Sequence, residues 1–276
     1  MPVISTNNAA NAALNYLNQN SAKATNLLSQ LASGSRIVNA SDDAAGLAIG
    51  TQLKASVAVY QQASVNVRQG SSILQAADGA LAQIGNVLER MLALSAQSAS
   101  GQVTDAQRTA DIQTEFTALQ TEIDSIIKST TYGGTQLLGT GTAALLTSTD
   151  FLVGTKSDHV LTVSLGDVDT ASLGSAASVN NVSNAKAAMS TLTTAIETVT
   201  KMRAQVGAYQ SQFNFANQVI STNVQNTQAA SSVIMDADVA SVKADLSSAD
   251  VKVQAAVAAL AQAAQLPQNL LKLIQS

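Results

Sequence analysis

The fold class predicted for this chain is mainly α: a long antiparallel helical bundle with terminal coiled-coil helices and a small β-hairpin insert. Three observations predict it. Apolar residues recur in alternating steps of three and four near both ends of the chain, the spacing of a coiled-coil seam. Aromatics make up only 3%, Trp is absent and much of the 46% hydrophobic share is alanine, which suits thin helical layers better than a thick globule. A single stretch, from about 135 to 183, abandons helical spacing for Gly, Ser and Thr around short β-prone runs.

The first seam helix ends near Gly34 and places Leu14, Leu17, Ser21, Ala24, Leu28 and Leu31 on the three-four spacing. Gly34 closes it, because glycine enters the left-handed conformation without a steric cost. A restart is predicted at Ser41-Asp42-Asp43, where short oxygen-bearing side chains cap free amides and acids meet the positive end of a helix dipole. The long helix that follows carries Leu53, Val57, Tyr60, Val67, Leu74, Leu81, Ile84, Leu88, Met91 and Leu94 on one broad face. Its glycines at 46, 50, 70, 79 and 85 each lower helix propensity by about 1 kcal/mol relative to Ala, so packing neighbours must hold it.

Gly101 breaks that helix, and Thr104-Asp-Ala-Gln107 has the form of a capping box opening the next. This one carries Ile112, Phe116, Leu119, Ile123, Ile126 and Ile127 and closes at Thr130-Thr-Tyr-Gly-Gly134. Within the insert, Phe151-Leu-Val153 and His159-Val-Leu-Thr-Val-Ser-Leu165 flank Gly-Thr-Lys-Ser-Asp158, which has hairpin chemistry. Helical spacing returns in Met189, Leu192, Ile196, Val199, Met202, Val206, Phe213, Ile220 and Val224, and Asp236-Ala-Asp238 marks a junction. The last helix sets Leu246, Ala249, Val253, Ala256, Leu260, Ala263, Leu270 and Ile274 on a seam interrupted only by Pro267.

Three regions follow: paired terminal helices at 1–35 and 237–276, long helices at 36–134 and 184–236, and an outward β and irregular insert at 135–183. This mirrored order brings the chain ends together. A terminal helix of about 35 residues would extend about 50 Å, and an alanine-rich pair of that length buries too little to be stable alone. The termini are therefore expected to order fully only when neighbours cover them.

Composition also excludes functions. With no cysteine, disulfides, zinc–thiolate sites and thiol catalysis are ruled out. A net charge of −4 and clustered bases nowhere argue against nucleic acid. No run of about 18 apolar residues exists to span a membrane. The N-terminal MPVISTNNAANAALNYL lacks the basic and apolar regions of a cleaved secretory signal. The sole histidine, His159, has no evident partners for catalysis or metal binding and is expected at a solvated loop edge. Asp42-Asp43 and Asp236-Ala-Asp238 stand at helix starts without the oxygen-rich loop that calcium needs. No catalytic residue, cofactor site or metal site is expected. Asn39-Ala-Ser41 and Asn181-Val-Ser183 fit a glycosylation pattern too short to be informative.

The motifs together resemble the bacterial flagellin family. In the N-terminal half they are Leu31-Ala-Ser-Gly-Ser-Arg-Ile37, Ala40-Ser-Asp-Asp-Ala-Ala-Gly-Leu-Ala-Ile49 and Gln75-Ala-Ala-Asp-Gly-Ala-Leu81. Towards the other end they are Arg203-Ala-Gln-Val-Gly-Ala-Tyr-Gln-Ser-Gln-Phe213, Asp236-Ala-Asp238 and Ala258-Ala-Leu-Ala-Gln-Ala-Ala-Gln-Leu-Pro-Gln-Asn-Leu270. The resemblance spans most of 1–130 and 190–276.

What it implies is a non-enzymatic structural subunit that self-assembles into the extracellular flagellar filament used for swimming, exported without a cleaved signal through the flagellar type III apparatus. Its alternative is a flagellar hook-filament junction protein, which does not usually share the Pro-Gln-Asn-Leu ending. The terminal helices would form the filament's inner core, the long helices its shell and the short insert its outward part. The polymerisation seam would comprise Leu14, Leu17, Leu28, Leu31, Leu246, Val253, Leu260, Leu270 and Ile274. Partners would be further copies of the chain, an export chaperone, and cap and junction proteins. Some flagellins are sensed by a host innate receptor through a shell-helix patch matched here by Arg90, Leu94 and Glu115. Met91-Leu-Ala93 departs from the charged pattern of detected members, so subunit packing is the preferred role for these residues. Ser and Thr of 140–185 stand where some flagellins carry O-linked sugars.

Overall fold

A computed structural model describes residues 7–139, 144–166, 168, 173–174 and 177–275, with side chains excluded at 147 and beyond 265. Among the described residues the order is α1 (Asn8–Ser33), α2 (Ala44–Ala99), α3 (Asp105–Gln107), a π turn (Arg108–Ile112) and α4 (Gln113–Ser129). Strands β1 (Thr131–Tyr132), β2 (Thr135–Gln136), β3 (Thr149–Leu152) and β4 (Val160–Val163) follow, then α5 (Val182–Met235) and α6 (Val239–Gln275). The chain forms two compact units, one of 1–56 with 226–276 and the other of 57–225.

In the first unit, Asn7 caps α1 by accepting from the Ala10 amide at 3.1 Å, and Gly34 ends it in the left-handed conformation at φ 68°. The α2 cap is Asp43, whose Oδ1 accepts from the Gly46 amide at 2.8 Å. Asp42 turns back to accept from the amides of Val38 and Asn39, so the two adjacent acids do separate work. Asp238 caps α6 by accepting from Ala240 and Ser241. The two junction loops pair with each other: Arg36 N–H donates to Met235 O at 2.7 Å and Ala237 N–H to Gly34 O at 3.0 Å. Ser35 Oγ adds a bond to Met235 O. These crossings tie the start of α2 and the end of α5 to the terminal helices.

In the second unit α2 and α5 run antiparallel, because their bonded partners descend along one helix as they rise along the other. Ser64 donates to Asn217, and Arg203 to Asp78. The facing stripes Leu74, Leu81, Ile84, Leu88 and Met91 of α2 and Leu192, Val199, Val206, Phe213 and Ile220 of α5 are buried. Phe116, Ile123 and Ile127 of α4 complete the helical layer. The capping box predicted at α3 is present in both directions between Thr104 and Gln107.

The β1–β2 hairpin turns through Gly133 at φ 59° and Gly134 at φ 85°, the two consecutive positive values of a tight hairpin turn. The segment closing the preceding helix thus also forms a hairpin, which the Thr-Tyr-Gly-Gly pattern could have signalled. β3 and β4 pair antiparallel with Phe151 opposite Leu161. Phe151 meets Phe213 of α5 edge-to-face at 5.2 Å, and Tyr209 Oη donates to Ser164 O, so the hairpin is anchored to the helix. Leu137, Leu138, Leu146, Val163, Leu165, Leu173 and Val179 all lie in the same core as the helices. The expected irregular surface of 135–183 is, in these residues, a core-building segment. Burying its aliphatic side chains covers helix faces that would otherwise meet water.

Candidate assembly surface

α1 and α6 lie side by side and antiparallel, with Asn7 Nδ2 donating to Ala263 O at 2.7 Å at one end and the junction loops paired at the other. On α6 the protected stripe is Val242, Leu246, Ala249, Val253, Ala256, Leu260 and Ala263 in unbroken three-four steps. Its alanines are the buried members and its larger residues are half-buried, so the helices approach at the small side chains. Leu246, Val253 and Leu260 therefore sit on the face turned to α1. Leu270 and Ile274 lie within α6 but outside the described side chains.

On α1 the half-buried stripe is Ala10, Ala13, Leu17, Asn20, Ala24, Leu27 and Leu31. Leu17 and Leu31 occupy the expected face. Leu14 and Leu28 are 44% and 56% exposed, beside that stripe rather than in it. Their exposure has a plain cause. Adjacent leucines at 27 and 28 make the apolar face of α1 wider than one partner helix can cover, and the contact with α6 uses the Leu27 edge. No residue of α1 is fully buried. Tyr16 of α1 and Val239, Val251 and Val257 of α6 are exposed as well.

Arg90 and Glu115 are brought together on the surface, with Arg90 Nη2 and Nε donating to Glu115 Oε1 at 2.6 and 2.9 Å. Leu94 is not beside them on the surface. It is 2% exposed in the α2–α4–α5 core, because its helical spacing from Met91 and Leu88 puts it on the buried stripe. A patch read by an external partner could use the ion pair but not Leu94.

Arg108 is a polar anchor that the sequence did not single out. It is 4% exposed, donates through Nε to Ser98 O and through Nη2 to Ser100 O, and pairs with Asp105 at 2.6 Å. It thereby locks the α2–α3 connection. Gln113 accepts from the Val179 amide, and Gln120 donates to Gly174 O and Ala177 O, so α4 holds the segment leading into α5. His159 is half-exposed, 3.9 Å from Asp158. Among the described residues no three His, Asp or Glu side chains converge on a metal-sized site, and no helix is long and apolar enough to cross a membrane.

Comparison with known proteins matches both helical parts. The profile of the bacterial flagellin N-terminal helical region fits residues 4–143, and that of the C-terminal helical region fits 189–274. The chain is 35% identical over 259 residues to the flagellar filament 30.7 kDa core protein of Treponema maltophilum, covering 90% of each. It is 32% identical over 302 aligned positions to flagellin of Bacillus subtilis (strain 168), covering 99% of each. A crystal structure of Bacillus cereus flagellin aligns with a TM-score of 0.48 at 28% identity, over 59% of this chain and 88% of that one. With its two helical parts matched and its relatives aligned over nearly their whole length, the chain belongs to the bacterial flagellin family.

Proposed function

We propose that this chain is the repeating structural subunit of a bacterial flagellar filament and that α1 and α6 form a contact layer between copies. One observation carries the second part: the helix pair leaves α1 without a single buried residue while Leu14 and Leu28 face water. Covering one such leucine contributes about 1.5–3 kcal/mol, so neighbours complete what the pair alone cannot. A contact between unlike faces that does not close into a ring propagates into a helical filament. The polymerisation seam is then Leu17, Leu31, Leu246, Val253 and Leu260 within a subunit, with Leu14 and Leu28 turned to the next, and Leu270 and Ile274 extending it along α6.

On this reading the helices of 1–35 and 237–276 form the inner layer, 36–134 with 184–236 the surrounding one, and 135–183 faces outward. The subunit works outside the cell and meets an export chaperone, a cap and junction proteins on the way. The relatives above are flagellins and a filament core protein, which favours a filament subunit over the hook-filament junction alternative. No chemistry is required of it.

Electron microscopy of the purified chain under polymerising conditions tests the proposal. Long filaments of uniform diameter are expected; a protein that stays monomeric at every concentration and precipitant level overturns it.

A further inference from the structure

We propose that Met235 is a peroxide-sensitive latch of the first unit: seated over Gly50 it holds the junction closed, and its sulfoxide cannot return to that seat. The inference goes beyond the filament reading and does not depend on it. In the first unit the buried apolar side chains, among the described residues, are Ile37, Met235, Ala249, Ala256 and Ala263. Of these only Ile37 and Met235 have any bulk.

Both seat against α2 where it has no side chain. Gly46 and Gly50 lie one turn apart on one face of α2, and both are buried. A Cβ on Gly46 would lie 2.9 Å from Ile37 Cδ1, and one on Gly50 would collide with Met235 Sδ and Cγ. The thioether therefore lies directly on the α2 backbone. The Met235 carbonyl meanwhile accepts from the Arg36 amide and from Ser35 Oγ, and the Ala237 amide donates to Gly34 O. Met235 thus joins the end of α5, the start of α2 and the loop that follows α1.

The chain has no cysteine, so its thioethers are the side chains that a hydroperoxide oxidises first. The sulfur lone pair attacks one peroxide oxygen, and the S–O bond forms as the O–O bond breaks. Sulfur loses two electrons, and the departing hydroxide takes the proton from the transferred oxygen and leaves as water. The sulfoxide is larger by one oxygen, polar and chiral. The backbone at Gly50 leaves no room for that atom on its side, and burying it without a donor would carry the penalty of an unpaired polar group. Static exposure would not select this sulfur: Met235 is 4% exposed against 7% for Met202 and 0% for Met91, with Met189 half-buried. Opening selects it. Met91 and Met202 belong to the large core of the second unit, whereas Met235 is shielded by the thinly packed first unit, whose openings take less free energy.

Hydrogen peroxide applied to the full chain in dilute, non-assembling buffer tests the latch, in a Met189→Leu background that removes the half-buried thioether. Peptide mass spectrometry is expected to find sulfoxide forming at Met235 at least about threefold faster than at Met202. After oxidation the amides of Arg36 and Ala237, which bond across the junction, should exchange with deuterated water at least about tenfold faster than before. Met235→Leu should abolish that response to peroxide. Gly50→Ala, which displaces the thioether without any oxidant, should raise the Met235 oxidation rate at least about threefold. Sulfoxide that forms no faster at Met235 than at Met202, or unchanged exchange of Arg36 and Ala237 once Met235 is fully oxidised, overturns the latch. So does a peroxide response that survives in M235L. None of these readouts needs a filament, so a chain that never polymerises overturns the filament reading and leaves this inference standing.

Discussion

Arg108 sets a residue-scale test. A guanidinium buried among carbonyls is secured by hydrogen bonds more than by its ion pair, since Asp105 is itself largely in solvent with a side chain 84% exposed. Arg108→Ala leaves the carbonyls of Ser98 and Ser100 short of a donor and is expected to cost about 2–4 kcal/mol in urea unfolding. Asp105→Ala should cost under about 1 kcal/mol. Equal losses for the two variants would overturn this ranking. Gly34 offers a second test: at φ 68° an alanine there takes a strained conformation, and Gly34→Ala should lower stability by about 1–2 kcal/mol in thermal unfolding. Gly34 was legible because glycine at a helix end has a single dominant meaning. Arg108 was not, since nothing in a local pattern distinguishes an arginine that will be buried from one that stays solvated.

At the scale of the element, the seam of α6 was legible from Leu246 to Ala263 because a seven-residue repeat there admits one apolar stripe. α1 admits two, which share Leu17, Ala24 and Leu31 and differ by whether Leu27 or Leu28 completes them. Periodicity alone could not choose; the position of a partner helix does. The hairpin β3–β4 was legible for its turn chemistry, whereas the inward role of Leu137, Leu138 and Leu146 was hidden by the glycines and threonines around them. The thinness of the α1–α6 contact leads to an expected difference between states. Backbone amides of 8–33 and 239–265 should exchange quickly with deuterated water in the monomer and become protected in the filament, while α2 and α5 within 57–225 stay protected in both. Strong protection of α1 in the monomer would contradict it. Leu260→Asp, which puts a charge on the packed face, should abolish filaments yet leave the second unit's unfolding transition unchanged, because a charge there costs several kcal/mol only where the helices must pack. Normal filaments from that variant would remove the seam from the assembly mechanism.

Across the whole molecule the charge is unevenly divided. Residues 1–56 and 226–276 hold six basic and six acidic side chains, while 57–225 hold eight basic and twelve acidic, so the entire net charge of −4 belongs to the second unit. Copies in a filament therefore meet with one neutral unit and one acidic unit each. Packing of the neutral unit should respond little to salt, whereas repulsion between acidic units should weaken as the Debye length shrinks from about 30 Å at 0.01 M to about 8 Å at 0.15 M. Sodium chloride over that range is expected to lower the critical concentration for assembly severalfold, measured by sedimentation. Glu89, Asp111, Glu122 and Glu197 are exposed and outside the described ion pairs, so neutralising them as Gln or Asn should leave the fold intact. The quadruple variant should assemble at lower concentration in dilute buffer and lose most of the salt dependence. A salt response that persists unchanged in that variant would place the controlling charges in the first unit, against the partition described.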